Sequence, residues 1–182
     1  ACYQARIRAH VGLYKTAPQI HEIGRAEISR LDLEMEELGF ELFQTRSLPA
    51  ILAKLRNDKK LYFATEDAVA EKATQALAAA KAKIPQYFSR LPHADCAVQR
   101  IPGYEAPYTS IAYYREPHPD GSKPGEYFVN TFAPETRPRY EAEALAFHES
   151  IPGHHLQIAI AQELSALPAF RKFTGSTAFV EG

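Results

Sequence analysis

His148, His154 and His155, three of the seven histidines, fall within eight positions. Glu149 directly follows the first, in the run Ala146-Phe147-His148-Glu149-Ser150-Ile151-Pro152-Gly153-His154-His155-Leu156-Gln157. A His-Glu pair followed within one or two turns by another His is the raw material of a zinc hydrolase. Neutral imidazoles bind Zn2+, and the carboxylate beside the first ligand can take a proton from the attacking water. A single helical His more often packs or faces solvent. A cluster with Glu149 inside an apolar stretch is harder to explain that way, because burying an unpaired carboxylate is costly and a cation is its natural partner.

The spacing departs from the common form, in which two His at i and i+4 share one helical face about 6 Å apart. Position i+4 from His148 is Pro152, and the next His residues stand at i+6 and i+7. In an unbroken helix, i+6 points roughly 240° away, and i+7 returns to the same face about 10.5 Å along the axis. Bonds of ~2.0–2.1 Å to one ion fit neither arrangement well. Pro152, however, has no N–H for the His148 carbonyl, and Gly153 tolerates non-helical angles. A bulge of two extra residues there would put His154 where the i+4 His normally stands, so His154 is favoured over His155 as the second ligand.

A second His-Glu pair, His21-Glu22, has no His close behind it and suits the solvated face of an ordinary helix. Cys2 and Cys96 form no CxxC spacing and read as two buried thiols.

Around these residues the chain reads as helices, a small β-element, then helices. Pro18 to Leu38 has a three-to-four apolar period with Gly39 as its stop. Ser47 opens a helix through Leu55 that ends near Asn57, and Thr65 caps another from Glu66 to about Ile84. Residues 97–101, 110–114 and 126–130 read as short strands. The turn formers of 117–125 make the last two a hairpin or a long β-loop. Helix returns over Tyr140 to Ser150, breaks at Pro152-Gly153 and resumes from His154 to Leu164. The fold class is an α-rich α+β arrangement in one segment, 1–182, with a helical part (1–91), a β-hairpin region (92–139) and the His-Glu helices (140–182).

At 182 residues and 20.4 kDa the chain is about one domain's worth. An apolar share of 46% and a charged share of 24% argue against a disordered tail or a membrane protein. The 21 Lys+Arg and 22 Asp+Glu leave no basic excess for nucleic acid. No stretch reaches the ~18 apolar residues of a membrane span, and no signal peptide is visible.

The run HESIPGHHLQ, preceded by DGSKPGEYFVN and followed by FTGSTAFVEG, resembles a bacterial family known as domain of unknown function 885, marked by His-Glu-x-x-Pro-Gly-His-His. The resemblance extends over most of the chain, down to the stretch from Ile84 to Pro92. More distantly, the region is similar to thimet-oligopeptidase-type zinc peptidases. In those, a His-Glu-Phe-Gly-His helix is followed by Ser-Gly-Thr and then Phe-Val-Glu, whose Glu is a third zinc ligand. Here Gly153-His154, Thr174-Gly175-Ser176-Thr177 and Phe179-Val180-Glu181 stand in the corresponding places. The resemblance implies His148, His154 and Glu181 as zinc ligands, Glu149 as general base, and a helical zincin-like fold with a small β-hairpin before the His-Glu helix. It also implies that Glu126 to Asn130 or Ser110 to Tyr114 takes up an extended peptide by strand addition. Tyr113, Tyr114 or Tyr127 could donate to an oxyanion, but each by itself is favoured as a hairpin surface aromatic. Family members are often exported or lipid-anchored, which points to the periplasm.

Such peptidases are helical bowls of several hundred residues. This chain is therefore expected to be a segment of a longer enzyme, with Glu181 fraying near Gly182 and zinc held weakly or not at all by the segment alone. The function expected is zinc-dependent peptide hydrolysis, or cleavage of another amide or an ester. The alternative is a non-catalytic helical binding module with a structural or vestigial His cluster.

Overall fold

The computed structural model describes residues 1–173, 175 and 177–181. They form an α-rich α+β fold that divides into two compact units, one of Ala1–Asp58 with Gly175–Gly182 and the other of Lys59–Thr174.

In the first unit, α1 (Cys2–Val11) ends on Gly12 at φ 73°, a left-handed position that glycine takes without steric cost. Helix α2 (Ala17–Phe43) starts from a reciprocal cap: Gln19 N–H donates to the Thr16 hydroxyl, and Thr16 N–H donates to the Gln19 side chain. It does not stop at Gly39. That glycine is buried inside the helix, and a Cβ on it would fall 2.1 Å from Ile51 Cδ1. Gly39 thus serves close packing of α3 (Leu48–Asn57) against α2, and the helix runs on to Gln44 in the left-handed conformation. The last short helix, α8 (Thr177–Val180), precedes Glu181. Cys2 is exposed, contrary to the expectation of two buried thiols; it stands at the start of α1, which buries no residue.

In the second unit, Thr65 caps α4 (Glu66–Lys83) by accepting from Ala68 N–H at 3.2 Å, with Glu66 and Asp67 in the first turn. Val69, Ala73, Ala76 and Leu77 repeat on one face and are buried. The three strands are β1 (Cys96–Arg100), β2 (Ala112–Arg115) and β3 (Gly125–Val129). Their spatial order is β1-β3-β2: β2 and β3 form the expected antiparallel pair, and β1 joins β3 in parallel. One face of the sheet, carrying Cys96, Ala112, Tyr127 and Val129, shares a core with α4, with Ala146 of α5 (Ala142–Glu149) and with Leu156 of α6 (His154–Glu163). Burial there pushes the Cys96 thiol up to about 12, and this sulfur behaves as a small apolar group. On the other face Phe128 packs with Ile101 and Ala106, and its ring stacks on Tyr113 at 4.8 Å. A short helix, α7 (Ala169–Lys172), follows α6. Among the described residues, no helix is long and apolar enough to cross a membrane.

Candidate metal centre

The end of α5 folds back on itself. Ser150 N–H bonds the Ala146 carbonyl at 2.9 Å, and the Ser150 hydroxyl donates to the same oxygen. The Ile151–Pro152 peptide is cis. Gly153 N–H then reaches back to the Phe147 carbonyl at 2.9 Å, and His155 N–H to the Ser150 carbonyl at 3.0 Å. Gly153 lies so close to the end of α5 that a Cβ on it would sit 1.9 Å from the His148 oxygen and 2.5 Å from the Phe147 oxygen. Only a residue without a side chain fits, so the glycine is required by close approach to backbone.

This return sets the imidazoles of His148 and His154 edge to face, 4.4 Å between centroids and 69° between planes. His148 is exposed and His154 half-buried, whereas Glu149 is 8% exposed. Desolvation raises the pKa of the Tyr127 phenol, and the charge of the nearby Glu149 raises it further. Two imidazole rings this close, with the buried Glu149 next to His148 in the chain, suit a divalent ion of zinc's preference for N and O donors.

His155 goes elsewhere. It is 1% exposed, with Nε2 at 3.0 Å from the Ala94 carbonyl and Nδ1 at 2.9 Å from the Tyr114 hydroxyl. A carbonyl only accepts, so Nε2 carries the proton and Nδ1 accepts from Tyr114. Burial holds this imidazole below its ordinary pKa, in keeping with the neutral ring. With both nitrogens committed, His155 is not an alternative to His154 as a ligand. Gly125 makes room for the pair: a Cβ there would lie 2.4 Å from His155 Nδ1 and 2.6 Å from Tyr114 Oη. The Tyr114–His155 link was missed in the sequence; its one trace is a glycine at the head of a strand, which often marks close approach.

Several other expectations change. Residues 126–130 cannot take up a substrate strand along β3, because β3 is central and paired on both sides, whereas β2 is an edge. The Tyr113 hydroxyl donates to Glu105 on the far face of the sheet, Tyr114 donates to His155, and Tyr127 is 1% exposed. These tyrosines are thus neither surface aromatics of a free hairpin nor a set of hydroxyls aimed at the His148–His154 pair. His21 and Glu22 are exposed on unbroken α2. Glu181, in the other unit, donates its N–H to the Thr177 carbonyl at 2.9 Å. Thr174, Ser176 and Gly182 lie outside the described residues.

A family model described as a bacterial protein of unknown function, DUF885, matches residues 1–182. The chain belongs to that family. No curated protein matches this DUF885 chain. Among solved structures it is similar to one titled the crystal structure of the putative lipoprotein from Colwellia psychrerythraea, at 25% identity and a TM-score of 0.88. The match covers 96% of the DUF885 chain and 31% of the other, so the chain spans about a third of that relative's length.

Proposed function

We propose that this DUF885 chain carries the metal centre of a zinc-dependent peptidase, with His148, His154 and Glu181 as ligands and Glu149 as general base. The observation that supports it most is the return at Ser150–Gly153, which sets two imidazole rings 4.4 Å apart between centroids. Glu181 enters as the third ligand through the Phe-Val-Glu resemblance, and two imidazoles with one carboxylate are a donor set that zinc accepts. Zinc, when bound, would polarise the substrate carbonyl and make a water acidic near neutral pH.

The chain's own residues supply the rest. Glu149 takes one proton from the water as its oxygen bonds to the carbonyl carbon, then hands that proton to the nitrogen as the C–N bond breaks. The edge of β2 offers backbone groups to an extended peptide, and its Tyr114 ring stands 6.3 Å from the His154 ring. The activity is proposed for a full-length protein on the scale of the longer structural relative. An exported, lipid-anchored location agrees with that relative's title.

Glu149→Gln in the full-length protein tests the assignment. Zinc should remain bound one to one while peptide hydrolysis falls on the order of 10²–10⁴-fold. Unchanged turnover would remove Glu149 as the base, and a wild-type protein that takes up no zinc would end the metal assignment.

A further inference from the structure

The pair His155 and Tyr114 lies next to the proposed ligand His154 yet takes no part in the chemistry assigned to it. Its bonds join three separate segments. The His155 ring is tied to Tyr114 on β2 at 2.9 Å and to Ala94, just before β1, at 3.0 Å. Its backbone N–H is tied to Ser150 at the end of α5. Successive residues of a helix are rotated by about 100° with a rise of about 1.5 Å. Anchoring the ring of the second residue of α6 to the sheet therefore fixes both the rotation and the height of its first. Without that anchor, the first turn of α6 would rest on the backbone bonds of the four-residue return and on the packing of Leu156 in the core.

We propose that Tyr114 and His155 are positioning residues that brace the opening turn of α6 and so hold the His154 imidazole against His148 for metal binding. This rests on the zinc assignment above. Gly125 is part of the same device, since any side chain there would occupy the place of the Tyr114–His155 hydrogen bond. The doubled His of the sequence then has a division of labour: the first ring offers a donor, and the second offers none but aims the first.

The test is zinc affinity of the full-length protein, measured by competition with a chelator well below the unfolding temperature. Tyr114→Phe keeps the ring and removes the hydroxyl, and should raise the zinc Kd by about 10–100-fold, the usual cost of losing a partner that orients a ligand. Val69→Ala, which loosens the same core away from these bonds, should leave Kd within twofold. If Tyr114→Phe also stays within twofold of wild type, the brace is refuted. A wild-type protein without zinc affinity instead overturns the zinc assignment and this inference with it. Should Tyr114→Phe not fold, ring-nitrogen NMR of the wild type decides. Zinc should shift the His148 and His154 nitrogens and leave His155 with its proton on Nε2; a coordination shift on His155 overturns the proposal.

Discussion

The chain contains the dipeptide His-Glu twice, and the two copies meet opposite fates. His21-Glu22 is followed by Ile23-Gly24 on α2, which continues unbroken to Phe43, so both side chains stay in solvent. His148-Glu149 is followed by Ser150-Ile151-Pro152-Gly153, where the helix stops, doubles back and restarts with His154. The glycines following the two pairs express the same difference. A Cβ on Gly24 would meet nothing within 4 Å, and one on Gly153 would strike two carbonyl oxygens. A carboxylate next to an imidazole is thus only potential chemistry. What makes a site of it is the path of the next four residues.

The largest expected contrast lies in activity. Glu149→Gln should lower peptide hydrolysis on the order of 10²–10⁴-fold, and Glu22→Gln should leave it unchanged; steady-state assays of both variants in the full-length protein would measure this, and equal effects would break the contrast. Next comes the return itself. Gly153→Ala must push apart backbone that has no side chain to yield, and should cost about 3 kcal/mol in denaturant unfolding. A smaller loss is expected at Gly39→Ala, about 1–3 kcal/mol, because the atoms most in the way, Cδ1 and Cγ1 of Ile51, belong to a side chain that can rotate. At the far end of the scale, Gly24→Ala should raise stability by about 0.5–1 kcal/mol, since an exposed helix interior gains from replacing glycine. A destabilised Gly24→Ala would mean that α2 is not the plain helix described.

The elements themselves were largely legible. The Thr65 cap, the helix it opens, and the hairpin of β2 and β3 each follow from local preferences, and each stands within a residue or two of its expected place. Gly39 was misread as a helix stop, because sequence cannot distinguish a glycine that ends a helix from one that lets a neighbouring Ile51 approach it. Similarly, a strand is recognisable from Tyr127, Phe128 and Val129, but its central position depends on the parallel pairing with β1, a partner about 30 residues away in the chain. Of the two candidate substrate strands, that pairing leaves only β2 as an edge.

By itself the amino-acid order determined where helix must fail, because Pro152 lacks an N–H and Gly153 lacks a side chain, and it determined which residue types lie on either side of that failure. Only the tertiary structure decided between the two adjacent histidines. His155 is drawn inward because a buried imidazole needs partners for both nitrogens, and Tyr114 and the Ala94 carbonyl, 41 and 61 residues earlier in the chain, provide them. His154, a helical step away, is left turned toward His148. Partners so distant along the chain leave no local pattern, and packing alone brings them together.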